Sequence, residues 1–148
     1  MKVSDVLREK GRKVYTVSAD APLAEALSRM TRHHIGALVV TSPENPIEGV
    51  ITERDLLRHL ERSGGSLGQG LVRDLMTPRS RLVVATEEDD LEYAMSAMTS
   101  NRVRHLPIVG RDKLCGMLSI GDLVKSQLTD QQHENKMLQD YIAGQYPA

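Results

Sequence analysis

At 148 residues the chain has room for one compact domain or two small ones sharing a core, which excludes a large multi-domain enzyme. Hydrophobic residues make up 40% and charged residues 26%, too apolar a mixture for a disordered chain. Lys+Arg 19 against Asp+Glu 20 leave a net charge of -1, so no global positive field draws nucleic acid or an anionic membrane, and any anion site must be local. The single cysteine, Cys115, excludes an intrachain disulfide and a multi-cysteine zinc cage, and its apolar surroundings predict a buried, inert thiol. Met1-Lys2-Val3-Ser4-Asp5 lacks the apolar core of a signal peptide, and no apolar run approaches the roughly 18 residues of a bilayer span, so the expected location is cytoplasmic. With no Trp, no Phe and four Tyr, few rings are available to stack bases.

In chain order, a short helix at about 3–9 leads to a strand at about 14–17. Ala21-Pro22 then opens a helix in which Leu23, Ala26, Leu27 and Met30 keep helical spacing. The apolar run Ala37-Leu38-Val39-Val40 reads as a strand, Ser42-Pro43-Glu44-Asn45-Pro46 as a turn, 48–52 as a third strand and 53–62 as a closing helix. Ser63-Gly64-Gly65-Ser66-Leu67-Gly68-Gln69-Gly70 reads as a flexible connector. It lacks the Gly-Lys-Ser/Thr ending of a phosphate loop, and no apolar strand precedes it.

The same order then recurs: helix 71–76, strand 82–85, a helix opened by Asp89-Asp90, the run Leu106-Pro107-Ile108-Val109, the turn Gly110-Arg111-Asp112, strand 114–118 and a helix from 120 onward. The residues repeat with it. Val3-Ser4-Asp5-Val6-Leu7 matches Val72-Arg73-Asp74-Leu75-Met76; Leu23, Ala26, Ser28, Met30 and Thr31 match Leu91, Ala94, Ser96, Met98 and Thr99. Gly49-Val50-Ile51-Thr52-Glu53-Arg54-Asp55-Leu56 matches Gly116-Met117-Leu118-Ser119-Ile120-Gly121-Asp122-Leu123. The expected organisation is an α/β fold of two tandem β-α-β-β-α units, 1–62 and 71–125, joined by the linker 63–70 and followed by a C-terminal helix and tail, 126–148. Each unit is too small to bury its own sheet, so the two pack sheet against sheet.

Enzyme signatures are missing. There is no Gly-x-Ser-x-Gly elbow and no His-Glu-x-x-His, and no context marks Cys115 as a nucleophile. His33 and His34 are adjacent, which on a helix turns them about 100° apart, and His59, His105 and His133 lie in other elements, so no metal site is expected. What recurs is a strand-to-helix corner carrying a hydroxyl and a carboxylate three residues apart, Thr52 with Asp55 and Ser119 with Asp122. Two readings fit it equally. One is a helix cap with the aspartate completing a capping box; the other is an exposed carboxylate accepting from the vicinal hydroxyls of a ribose, with the helix amino terminus toward a phosphate.

The paired Gly-x-x-Thr/Ser-x-x-Asp corners beginning at Gly49 and Gly116, with Asp74-Leu75-Met76-Thr77-Pro78 and Arg104-His105-Leu106-Pro107-Ile108-Val109, resemble the tandem cystathionine-β-synthase (CBS) domain pair, or Bateman module, over roughly residues 2–125. The resemblance implies a non-catalytic regulatory module that binds adenosine-containing ligands (AMP, ADP, ATP, NAD(H) or S-adenosylmethionine) in clefts between the repeats and signals to a partner protein, as an energy sensor does. It implies a homodimer paired through helical faces, no nucleic-acid or membrane partner and no catalytic cofactor. Carried over residue by residue, cleft A takes Thr52, Arg54 and Asp55 with Val83, Val84, Ala85, Val103, Arg104, His105 and Pro107. Cleft B takes Ser119 and Asp122 with Thr16, Val17, Ile35, Gly36, Ala37 and Leu38. The adenine lies between aliphatic side chains and bonds backbone groups near 16–17 or 84–85.

The two clefts are expected to differ. Arg54, Arg104 and His105 meet a phosphate in cleft A, where cleft B offers Gly121, Gly36 and Ala37. Charge-assisted hydrogen bonds contribute about 1.5–3 kcal/mol each, so AMP is expected in cleft A, with cleft B empty, weakly occupied by adenosine, or open to a bulkier dinucleotide. From Gly121 to about Ile142 one long helix is expected, either a surface tail or a dimer or partner helix. Two other classes remain compatible with the residues: a ligand-independent structural adaptor, and an enzyme completed across a dimer interface with His105 or His34 as acid or base.

Overall fold

The computed structural model describes residues 1–111 and 113–142. Asp112 of the second expected turn, the tail 143–148 and the side chains of His133, Asp140, Tyr141 and Ile142 lie outside the described residues. In chain order the elements are α1 (Val3–Lys10), β1 (Thr16–Ser18), α2 (Leu23–His33), β2 (Ala37–Ser42), β3 (Asn45–Thr52), α3 (Glu53–Arg62), α4 (Val72–Leu75), β4 (Thr77–Pro78), a 3-10 turn (Arg79–Arg81), α5 (Leu91–Asn101), β5 (His105–Gly110), β6 (Lys113–Ser119) and α6 (Ile120–Ile142). The linker carries its bends on Gly64, Gly65 and Gly68, all at positive φ. It is pinned by His59 Nε2 against the Leu67 carbonyl at 2.9 Å.

One sheet runs β1-β2-β3-β4, with β1 and β2 parallel and the other pairs antiparallel; the second is the β5-β6 hairpin. Ala37, Val39, Ile47 and Val50 of the first sheet are buried against Val109, Leu114 and Met117 of the second, with Val14 and Leu82 at the margin, so the repeats do meet sheet to sheet.

The opening helices are exchanged between the units. Val3, Val6 and Leu7 of α1 are buried with Leu91, Met98, Leu106 and Leu118 of the second repeat, while Val72 of α4 is buried with Leu23, Leu38 and Ile51 of the first. Each expected unit is therefore incomplete without the other's first helix. The helices also differ in length, α1 having 8 residues and α4 having 4. Pro78 explains this, because its ring drives Thr77 out of the helical region. The freed pair Thr77–Pro78 becomes β4 and adds to the edge of the other repeat's sheet, Gly49 opposite Pro78.

The expected strand 82–85 does not form. Only Ala85 pairs, through a parallel bridge to Ile108: its N–H donates to the Pro107 carbonyl at 3.1 Å, and its own carbonyl accepts from Val109 N–H at 2.8 Å. Leu82 and Val83 instead run across the seam, Leu82 packing on the core between the sheets and Val83 on the second repeat's core. Cys115 is half-buried rather than fully buried, at the edge of that second core.

Candidate functional site

Each corner is built twice over in the same way. Thr52 ends β3 and caps α3: its N–H donates to Asp55 Oδ2 at 2.8 Å, its hydroxyl donates to the same oxygen at 3.1 Å, and Asp55 N–H donates to Thr52 Oγ1 at 3.3 Å. Ser119 and Asp122 repeat the exchange at 2.8 and 3.1 Å. The capping box is therefore real at both corners. At Asp55 it uses Oδ2 alone; among the described residues Oδ1 accepts nothing and stays available. Each corner is also tied to the start of the neighbouring strand, Glu53 N–H to the Gly36 carbonyl at 3.0 Å and Ile120 N–H to the Arg104 carbonyl at 2.8 Å. That tie sets the two helix N-termini on either side of one seam.

Cleft A is a solvent-open cleft enclosing about 800 Å³ of empty space. It brings together Thr52, Arg54 and Asp55 from the first repeat with Val83, Val103, Arg104, His105 and Pro107 from the second. Val84 and Ala85 do not line it; the Ala85 side chain is 2% exposed, and both its backbone groups are spent on β5. Reading the sequence missed Arg58, Arg81 and Arg102 on its walls. Arg102 sits at the end of α5 with φ 54°, left-handed backbone that usually falls to glycine. The sequence carries no signal of that backbone, because arginine is not the residue usually found at such a cap.

Cleft B is larger, about 1120 Å³, and includes Ile35, Gly36, Ala37, Ser119 and Asp122 as expected. Thr16, Val17 and Leu38 are not on its walls. The Thr16 carbonyl accepts from Arg29 Nη1 at 2.6 Å, and Val17 and Leu38 are buried in the first repeat's core. The expected shortage of cations is also wrong. Lys10, Lys13 and His34 line the cleft, His34 at φ 53° being the counterpart of Arg102. Lys10 arrives on the exchanged helix α1, a placement that the order of elements along the chain does not reveal. Its ammonium stands 2.6 Å from Asp122 Oδ2 and 2.7 Å from the Met117 carbonyl. Burial by itself would raise the Asp122 carboxyl; the Lys10 ammonium and the Ser119 N–H and hydroxyl outweigh it and hold the group below its ordinary value.

Glu53, Arg104 and His105 line both clefts, so the wall between them is these three side chains. Gly36 gives them room: a Cβ there would stand 3.1 Å from Glu53 Oε1 and 3.4 Å from His105 Cε1. Burial pushes the His105 imidazole below its ordinary value; Glu53 pulls it back and Lys10 adds to the lowering.

Two like units joined into one seam-crossing pair match a known domain family. The CBS domain family model matches residues 3–62 and 72–129. The chain belongs to the CBS domain family. It is 37% identical to the mitochondrial CBS domain-containing protein CBSX3 of Arabidopsis thaliana over 97% of this chain and 73% of that one. Among solved structures, a CBS-domain-containing protein from Agrobacterium tumefaciens is 36% identical with a TM-score of 0.81, covering 86% of this chain and 99% of that one. A CBS domain protein from Pyrobaculum aerophilum, solved in complex with AMP, shares the fold at 24% identity and a TM-score of 0.72, over 82% of this chain and 89% of that one.

Among the described residues, no helix is long and apolar enough to cross a membrane, and no group of three or more His, Cys, Asp or Glu is arranged to hold a metal ion.

Proposed function

We propose that this CBS pair is a non-catalytic regulatory module that binds an adenosine nucleotide, AMP or a relative, in cleft A and passes its presence to a protein partner. The observation that carries this reading is the union, across the seam, of the Asp55 carboxylate with Arg54, Arg104 and His105 beside the aliphatic wall of Val83, Val103 and Pro107. Asp55 Oδ1 accepts from the ribose hydroxyls, the two guanidinium groups and the His105 imidazole meet the phosphate, and the aliphatic wall takes the adenine without an aromatic ring. The AMP complex of the Pyrobaculum aerophilum protein supports the fold's capacity for such a ligand.

The working assembly is a homodimer. Helices α2, α3, α5 and α6 leave Leu27, Leu57, Tyr93 and Val124 exposed, an apolar set that a second copy would cover. Light scattering checks this; a concentration-independent monomer mass overturns it.

A thermal-shift panel of AMP, ADP, ATP, NAD+, NADH and S-adenosylmethionine tests the ligand class. A ligand at 100 times its Kd stabilises the fold by about 2.7 kcal/mol, so a real ligand raises the melting temperature by several degrees. No shift with any of them sinks the proposal in favour of a ligand-independent adaptor, and consumption of the nucleotide by stoichiometric protein would point to an enzyme.

A further inference from the structure

Helices α3 and α6 start from equivalent corners, at Thr52 and Ser119, yet α3 has 10 residues and α6 has 23. The position on α6 equivalent to Arg62, the last residue of α3, is Thr129, where the family match also ends. After Arg62 the chain leaves the helix through Ser63 and the glycines of the linker; after Thr129 it continues as helix to Ile142. The added turns belong to neither repeat. Among the described side chains of α6 none past Ser126 is buried, and those from Leu128 to Gln139 are exposed. A helical stretch of about three turns packed on nothing is marginal in water, so the continuation needs a partner surface to hold it.

Val124, Leu128, Gln131, Asn135 and Leu138 alternate spacings of four and three residues, the repeat that lays one stripe along a helix toward a second helix in a left-handed coil. Its aliphatic members are open to solvent, Val124 at 41%, Leu128 at 53% and Leu138 at 60%. Between the two leucines the stripe carries two amides. A wholly apolar partner face would bury Gln131 and Asn135 without hydrogen-bond partners, which is unfavourable. A second copy of the same helix answers them with themselves, because a carboxamide both donates and accepts. That match requires the two helices to run parallel and in register, Gln131 facing Gln131 and Asn135 facing Asn135. The flanking positions favour the same direction. Parallel pairing sets Glu134 beside the other copy's Gln139 and Gln127 beside its Gln132, whereas antiparallel pairing about the same centre brings the two Glu134 carboxylates together.

We propose that this stripe of α6 pairs with the same stripe of a second copy as a short, parallel, two-stranded coiled coil whose register is set by Asn135 and Gln131. The proposal rests on the reading that the protein is a homodimer and names a contact that lies outside both repeats and both clefts. The polar layers trade some stability for a single register and a fixed number of strands.

Sedimentation and light scattering over a range of concentrations decide it, on the full chain and its variants. The wild-type chain is expected to be a dimer. Leu128→Lys combined with Leu138→Lys, both at exposed positions, is expected to weaken dimerisation about tenfold or more while the repeats stay folded. Asn135→Val is expected to tighten it about tenfold or more, since an aliphatic residue replaces a polar one in the seam; on a helix surface facing water the same change would do nothing. In a Cys115→Ser background, Asn135→Cys is expected to crosslink the two copies in oxidised glutathione, and Lys136→Cys, one step round the helix, is not. A dimer that the lysine and valine variants leave unaltered, or that crosslinks no better through Asn135→Cys than through Lys136→Cys, overturns the coil and leaves the homodimer reading standing. A wild-type chain that is monomeric at every concentration overturns both, and a mass of three or four copies overturns the two-stranded pairing.

Discussion

Leu7 occupies the space above Gly116: a Cβ at that glycine would stand 2.7 Å from Leu7 Cδ2. The repeat partner of the pair is Gly49, where a Cβ would meet Met76 Sδ at 3.0 Å and the Thr77 carbonyl oxygen at 2.3 Å. Leu7 and Met76 are themselves equivalent positions of the two repeats. The glycine that opens each corner is therefore the landing point of the other repeat's first helix, and helix exchange and corner geometry are one feature.

Gly49→Ala should destabilise more than Gly116→Ala. The first drives a methyl into backbone that β-pairing holds in place; the second pushes on the end of a leucine side chain. Urea denaturation should show a loss of about 1–3 kcal/mol for Gly116→Ala and more for Gly49→Ala. In a double-mutant cycle Leu7→Ala should absorb most of the Gly116→Ala penalty. Additive losses at those two positions would show that the contact is not what limits the site.

Asp55→Ala should lower stability without any ligand, because it removes the acceptor for Thr52 N–H and the Thr52 hydroxyl. Loss of such a cap costs about 1 kcal/mol. Asp55→Asn keeps one oxygen for the cap and loses the charge that favours ribose hydroxyls, so it should melt close to wild type yet show little shift with AMP. An Asn variant that binds AMP like wild type would leave Asp55 as a cap alone.

The Lys10–Asp122 pair makes a pH prediction whose sign is fixed. The carboxyl's folded value lies below its ordinary 3.8, so the stability it contributes is present above that value and is lost as pH falls below it. Lys10→Met should raise the Asp122 value in an NMR titration and move acid unfolding to higher pH. The same variant removes a cation from cleft B, so an anionic ligand there should bind more weakly. An unchanged Asp122 titration would mean that the ion pair does not persist in solution.

How much of this was readable beforehand depended on whether the signal was local. The repeat, the helix and strand order and both Thr/Ser-Asp corners were legible, because spacing and caps are written within a few residues of one another. The strand expected at 82–85 failed because the apolar residues Leu82, Val83 and Val84 look the same whether they pair or cover a seam. The cations of cleft B were invisible for a different reason: Lys10 reaches Asp122 across 112 positions of chain, on a helix that belongs to the other repeat's core. Arg58 of cleft A could have been found from its four-residue spacing after Arg54 on α3, once positive charges were counted by helix face instead of over the whole chain.

The clefts should not act independently. Glu53, Arg104 and His105 serve both, and His105 is buried enough that burial already disfavours its charged form. A phosphate in cleft A would draw Arg104 toward it and favour a proton on His105, so AMP binding should tighten as pH falls from 8 toward the ordinary imidazole value of 6.5. The unliganded protein should do the opposite: His105's lowered value means that the stability it contributes is full above 6.5 and is lost as pH falls through the window below. With Arg104 committed to cleft A, an anionic ligand entering cleft B should bind about fivefold or more weaker than it does when A is blocked by Asp55→Asn. Calorimetry on the wild-type chain and on Asp55→Asn reads both affinities. Equal cleft B affinity in the two backgrounds, together with AMP binding that does not change with pH, would show that the shared wall separates the clefts without coupling them.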